Sequence, residues 1–491
     1  GDSRAEPWTW VRTHGEGRVF YTAWGHDERT WSKEAFHRLL ERGVRWAAGG
    51  ETIGQPAAEE PFEYVPAKVP YYPPGESWGT TGEPFTRMQR PLDPETSLDQ
   101  MVVPPGFELD LVAAEPTIRT PLDLAWDEEG RLWIAESSDY PNDIDTTQGV
   151  GSDRIVIARD ENGDGRIDGT TVFAENLSLP TSMTFARGGL IVTEPPRTLF
   201  LRDTTGDGRA DVRRVLFDGW GTFDTHAGPS NLRRGPDNWI WGTVGYSGFE
   251  GTVGGERHRF AQAIYRFRPD GSEMEVVRST TNNTWGLGFN EQGDVFASTA
   301  NGNPSVHAAI PDRYAERLRL WDRDPLPTIA EHDRYHPIVD TVRQVDHHGR
   351  YTSGAGHALY TARRFPREYW NRSAFVAGPT GHLLGRFEIE GVGAGYRAEN
   401  EWNMLASRDR WTAPIAAEVG PDGALWMIDW YSYIVQHNPV PDGWTEGRGN
   451  AYASELRDHD RGRIVRILPE EGEATPSPDL RVPGDGDTSG H

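Results

Sequence analysis

The chain has 491 residues, with 56 glycines, 36 prolines, 19 tryptophans and a formal net charge of −25. This balance excludes non-specific binding to nucleic acid or to an anionic membrane, since both need a basic surface. It has no cysteine, which excludes disulfides, thiolate zinc sites, a thiol nucleophile and a covalently attached c-type haem.

Two further exclusions follow from the residue inventory. Lys33 and Lys68 are the only lysines among 50 basic residues, so no Schiff-base lysine lies beyond position 68. No run of about 18 apolar residues occurs, so the chain has no membrane-spanning helix. The first residues, GDSRAEPW, do not read as a signal peptide.

In chain order, "GRVFYTAWG" (17–25) predicts a strand. The following segment carries Phe36, Leu39, Leu40, Val44 and Ala47 at helical spacing and stops at Gly49-Gly50. One strand and one helix bury too little to stand alone, so residues 1–50 read as the C-terminal fragment of an α/β domain. Residues 51–104, with "EEPFEYVPAKVPYYPPGE", read as a Pro-rich extended linker. From 105 onward a pattern recurs: apolar strand, polar turn, second strand. It is present at 121–137, 181–195, 230–245, 285–302, more loosely at 369–389, and at 415–430. Six such units predict a mainly β chain, a six-bladed β-propeller over 105–470, closed by strands at 106–116 and 462–470. Residues 471–491 read as a disordered tail.

Four motifs could carry chemistry. "DENGDGRID" offers Asp160, Asn162, Asp164 and Asp168, and "DTTGDGRAD" offers Asp203, Thr205, Asp207 and Asp211. Alternating oxygen donors around a glycine turn suit calcium; the alternative is a solvated Asp/Gly turn. "TFDTHAGPSNL" sets Asp224 and His226 just ahead of a strand. An imidazole there could take a hydroxyl proton while hydride leaves the same carbon, or could simply cap the turn. "STTNNTWGLGFN" places Asn282 and Asn283 where they could bind a polar ligand or close an Asx turn. "VRQVDHHGRYTSGAGHALY" gathers Arg343, Asp346, His347, His348, Arg350 and His357. Imidazoles beside a carboxylate could hold a metal, but adjacent histidines in an extended segment face opposite ways, so at most one of His347 and His348 faces a given site.

Residues 84–470 resemble the propeller of the membrane-bound dehydrogenase family of planctomycetes. The resemblance runs through "DYPND", "GWGTFDTHAGPSNL", "NNTWGLGF", "STANGNPSVH", "RQVDHHG", "EYWNRSAFVAGPTGHL" and "EVGPDGALWMIDWYSYIVQHNP". In that family a ThuA-like domain can precede the propeller, and "GRVFYTAWGHDERTW" with "LLERGVRWAAG" resembles its last segment. A cytochrome c domain often follows; no haem motif is present in this sequence. More distantly, "DTHAGPSNLRRGPDNWIWG" is similar to the base segment of the soluble quinoprotein glucose and sorbosone dehydrogenases. Those are six-bladed propellers using pyrroloquinoline quinone and calcium.

The resemblance implies His226, with Asp224, as catalytic base, and Asn283 and Asn282 at the cofactor, with Tyr246 where the base's supporting carboxylate falls. Arg343 is a candidate to replace the quinone-clamping arginines, whose positions fall near Ala413 and Ile415. Arg350, Arg408 and Arg410 are further candidates. Asp346, His348 and His357 are then expected at the substrate. The function implied is a periplasmic or extracellular sugar or alcohol oxidoreductase passing electrons to a separate cytochrome c. Two alternatives stand beside it: a non-catalytic, calcium-stabilised module binding carbohydrate or protein, and a metal-assisted hydrolase or lyase acting on oxidised sugars.

Overall fold

The computed structural model describes residues 8–15, 17–49, 61–75, 82–318 and 326–470. They belong to two compact units, Gly1–Phe62 and Glu63–His491.

In the first unit the expected strand, Gly17–Thr22, pairs antiparallel with a second strand, Thr9–His14. The helix Glu34–Ala47 packs on this hairpin. Phe36 and Trp46 are its buried anchors. Gly43 permits the contact, because a Cβ there would lie 2.3 Å from the Phe20 ring.

The second unit is a six-bladed propeller. Blade one is Pro121–Trp126, Leu132–Glu136, Asp153–Arg159 and Gly169–Leu177; blade two is Ser182–Ala186, Gly189–Glu194, Arg197–Arg202 and Val212–Asp218. Blade three is Pro229–Arg234, Ile240–Val244, Ala263–Phe267 and Met274–Ser279, with an extra hairpin at Phe249–Val253 and Glu256–Phe260. Blade four has Thr284–Phe289, Val295–Thr299 and Val306–His307. Blade five is Ala355–Leu359, Ser373–Gly378, Leu383–Val392 and Gly395–Ser407, edged by Met101–Val102. In blade six Pro414–Val419, Leu425–Asp429 and Arg463–Pro469 are followed by Phe107–Ala114 as the outermost strand. That last pairing closes the ring as expected. The first-named strand of each blade contacts its counterpart in the next, all the way around.

A clasp closes the first hairpin of blades one, three and six. In the turn of the first hairpin an aspartate accepts the indole N–H of the tryptophan on the second strand. Trp133 Nε1 donates to Asp127 at 2.8 Å, Trp241 to Asp237 at 3.0 Å, and Trp426 to Asp422 at 2.9 Å. The same rings then fill the seams between blades: Trp126 meets Trp426 edge-on at 5.3 Å, Trp133 meets Phe185 at 5.1 Å, and Trp241 meets Phe289 at 5.5 Å. A buried aromatic of this kind contributes about 2 kcal/mol or more by removing its surface from water.

Two expectations are corrected. The described residues 63–75 and 82–104 of the Pro-rich segment, expected as an extended linker, cluster with the propeller unit and pair within themselves. Tyr64–Val69 pairs with Phe85–Gln89, and Val69 joins Trp411, Tyr431, Tyr433 and Tyr452 in one core cluster. Gln89 is buried and donates to Asp409 at 2.6 Å. In blade five the inner strand is Ala355–Leu359, so the 369–389 unit is the second and third strands of that blade. The expected tail, 471–491, lies outside the described residues, as do 51–60 and 76–81 of the expected linker.

Candidate active site

One mouth of the propeller opens on a cavity of about 480 Å³. All six blades reach it. Leu122 and Tyr140 come from blade one, Thr181 from the approach to blade two, Asp224 to His226 and Tyr246 from blade three, and Asn282, Asn283 and Trp285 from blade four. Asp346 and His347 precede blade five, and Trp430, Gln436, His437 and Asn438 follow the second strand of blade six.

His226 sits in a single 3-10 turn, Thr225–Ala227, capped by Asp224, whose side chain accepts the His226 N–H at 3.2 Å. The turn runs straight into Pro229–Arg234, the inner strand of blade three. A strand rooted in the core therefore fixes the ring at the cavity wall. Gly245 lets the neighbouring elements close on it: a Cβ there would lie 2.5 Å from Asn283 Oδ1 and 2.9 Å from Ala227 Cα.

The hydrogen bonds assign the tautomer. The backbone N–H of Tyr246, which can only donate, lies 2.8 Å from Asn283 Oδ1. The Asn283 amide nitrogen is thereby turned to His226 Nε2 at 2.9 Å, and it too can only donate. Nε2 carries the lone pair, and the ring proton sits on Nδ1, 2.5 Å from Asp224 Oδ1. His437 Nε2 closes on the same Nδ1. The other His437 nitrogen meets the Tyr140 hydroxyl at 2.7 Å. Asp224 Oδ2 accepts from Asn450 at 2.7 Å and from Asn438 at 3.2 Å.

The electrostatics agree with this network. Burial opposes ionisation of Asp224, but hydrogen bonds from His226 and His437 outweigh it and hold the carboxyl well below its ordinary range. Burial, and next the adjoining His226, push His437 down to about 3, so it is neutral.

Asp224, His226 and His437 form the one grouping of three metal-ligand side chains found among the described residues. A metal on His226 Nδ1 would move the ring proton to Nε2, where it would face the Asn283 donor. The amide therefore favours a proton-holding group over a ligand set.

The sequence-derived candidates separate clearly. His226, Asp224, Asn282, Asn283, Tyr246 and Asp346 all line the cavity. Of the two adjacent histidines, His347, with left-handed backbone (φ 45°), lines the wall, and His348 does not. Arg343 is turned away: it donates to the Pro70 carbonyl at 2.7 Å and to the Tyr452 hydroxyl at 3.0 Å. His357 is fully buried between blades, bonded to Ser305 at 2.8 Å and stacked on Phe296.

The two acidic loops fold onto themselves. Asp160 accepts from Gly163 and Gly165, Asn162 from Asp164, Asp164 from Arg166, and Asp168 from Glu161. Asp203 accepts from Thr205, Gly206 and Gly208, Asp207 from Arg209, and Asp211 from Thr204. Thr205 spends its hydroxyl on Asp203. Neither loop gathers three carboxylates toward one point.

Residues 93–471 match the model of a family described as a domain of unknown function, DUF7133. The chain belongs to the DUF7133 family. Residues 2–47 match ThuA, trehalose utilisation. No curated protein matches the DUF7133 chain. Among solved structures it is similar to the PQQ domain of pyranose dehydrogenase from Coprinopsis cinerea, at 12% identity over 75% of this chain and 97% of that one, with a TM-score of 0.43. It is similar to the PQQ-bound aldose sugar dehydrogenase of Streptomyces coelicolor, at 14% identity, 74% and 100% coverage and a TM-score of 0.40. It is also similar to the soluble aldose sugar dehydrogenase of Escherichia coli, at 11% identity, 74% and 99% coverage and 0.40. No residue of the DUF7133 chain takes a role from these likenesses.

The cavity itself tests the quinone. A ligand with several carboxylates needs cationic partners, and among the described residues no lysine or arginine lines this cavity. Arg343 is committed elsewhere, Arg350 pairs with Asp333 at 3.1 Å, and neither Arg408 nor Arg410 reaches the wall. The residues present do not fit pyrroloquinoline quinone.

Proposed function

We propose that this chain is a propeller oxidoreductase directed at a sugar or related alcohol, with His226 as the base that takes the hydroxyl proton. The observation that carries the reading is the Asn283 amide on His226 Nε2. It keeps Nε2 as the acceptor nitrogen and the ring proton against Asp224, the arrangement in which a carboxylate steadies the imidazolium formed on proton transfer. To give its proton to Nε2, a ligand hydroxyl must displace the Asn283 amide from it.

The walls suit such a ligand. Trp285 and Trp430 bring aromatic rings to the wall, and Asn282, Asn301 and Asn438 bring amides. Oxidation of the carbinol carbon needs a two-electron acceptor, which a redox cofactor would supply when bound, and the resemblance to the propeller dehydrogenases supports onward transfer to a cytochrome c in a periplasmic or extracellular setting.

Dye reduction over a panel of sugars and polyols tests the reading. His226→Ala and His226→Gln are expected to lower turnover on the order of a hundredfold or more, with the melting temperature nearly unchanged. Binding without turnover in the wild type would instead indicate a carbohydrate-binding module. A second reading, metal-assisted lyase or hydrolase chemistry, is favoured by the gathering of Asp224, His226 and His437. Dye-independent turnover that needs added zinc or manganese would select it.

A further inference from the structure

We infer that the ligand of this cavity carries a positive charge: a hydroxylated amine, such as an amino sugar, in preference to a neutral or acidic one. The inference rests on the reading above that the cavity takes a sugar-class ligand.

Two carboxylates face the cavity, and they differ. Asp224 is answered by His226, His437 and two amide donors. Asp346 is answered by neutral donors alone. Its Oδ1 accepts from the Thr352 hydroxyl at 2.9 Å and from the Gln436 amide at 3.2 Å, and its Oδ2 accepts from the Asn301 amide at 3.2 Å. These donors are fixed: Gln436 is buried and its own oxygen is taken by the Val345 N–H at 2.7 Å. Three donors and no acceptor surround Asp346, which is how an ionised carboxylate is held. A carboxylate has about four acceptor positions, so one stays open toward the cavity.

The protein supplies no cation to that position. No lysine or arginine lines the wall, and no basic side chain pairs with Asp346 among the described residues. His348, the imidazole held near Asp346, is kept toward its neutral form by burial; His347 stands exposed on the wall. A half-buried charge without a partner is costly, and a ligand ammonium would remove that cost. Tyr140, Tyr246, Trp285 and Trp430 also line the cavity, and aromatic faces attract cations.

A metal ion fits the same position less well. Calcium needs oxygen lone pairs, whereas the groups around Asp346 turn N–H and O–H toward it. The chain's charge of −25 also favours entry of a cation and opposes entry of an acid.

The test is titration calorimetry on the whole protein with glucosamine, N-acetylglucosamine, glucose and glucuronate. Glucosamine is expected to bind about tenfold tighter than glucose or its N-acetylated form, the gain of one charge-assisted hydrogen bond, and glucuronate not to bind. In Asp346→Asn the preference should fall to about onefold. Equal binding of glucosamine, N-acetylglucosamine and glucose overturns the inference and leaves the sugar reading standing. So does a preference that survives in Asp346→Asn, or a calcium-induced melting shift that this variant abolishes. Binding of none of the four overturns the sugar reading and the inference with it.

Discussion

His226 takes its chemical character from an amide on the next blade. Remove the Tyr246 N–H from Asn283 Oδ1 and the amide could turn over; keep it, and Nε2 must accept. Nitrogen-15 NMR of the imidazole should therefore show His226 as the Nδ1-protonated tautomer at neutral pH. A ring protonated on Nε2 would remove the base assignment and restore the metal reading. At this scale part of the site was legible: His226 and Asn283 each stand just ahead of a strand whose pattern is plain, and Asp346 stood out by the histidines and arginines around it. His437 and Tyr140 were not. They lie in loops after second strands, "YIVQHNP" and "SSDYPND", where no periodicity marks a side chain as facing inward. Arg343 was misplaced for a different reason. A long guanidinium can reach a backbone carbonyl as readily as a ligand, and here Pro70 supplies one.

At the scale of elements, blades one, three and six carry the Asp–Trp clasp, and blades two and four were legible without it, from the apolar, polar, apolar pattern alone. Blade five has no such pair in its first hairpin, and its strongest apolar run, "SAFVAG", is the second strand. The acidic turns show the limit of a spacing argument: alternating oxygens suit a cation or the loop's own amides equally, and backbone N–H groups reach Asp160 and Asp203 in both loops. Inner strands carry a separate consequence. His357 on Ala355–Leu359 is completely buried, and burial lowers it to about 4 from an ordinary 6.5. The unfolded chain binds this proton between those values and the folded one does not. Stability from this residue is thus complete above about pH 6.5 and falls as pH drops toward 4, by at most about 3 kcal/mol. His437 titrates in the same direction, and the buried Asp123, Asp153 and Asp429, each raised to about 7 chiefly by burial, run the opposite way. The difference between wild type and His357→Gln isolates the term: the gap in melting temperature should shrink as pH falls from 7 to 4. A gap independent of pH would mean that the imidazole accepts its proton without cost.

At the scale of the whole molecule, stability depends on how the ring is fastened. The outermost strand of blade six comes from the start of the propeller and its neighbour from the end, so a residue spanning both acts on the entire circle. Arg463 is that residue. It is 1% exposed, and its guanidinium donates to Glu115 at 2.9 Å and to the Leu92 carbonyl at 2.6 Å while lying 3.4 Å over the Tyr431 ring. It thus joins the strand Arg463–Pro469 to the chain on both sides of Phe107–Ala114. Replacing it with methionine keeps most of the apolar stem but leaves Glu115 without its cation. Breaking such a buried pair from one side costs about 3 kcal/mol or more, whereas removing both charges costs less. Arg463→Met should therefore lower the melting temperature of the propeller as a single cooperative transition, and Arg463→Met with Glu115→Gln should recover part of the loss. Recovery identifies the stranded carboxylate as the cause. If the double variant is no more stable than the single one, the contribution lies in the Leu92 and Tyr431 contacts, and closure depends on packing rather than on the ion pair.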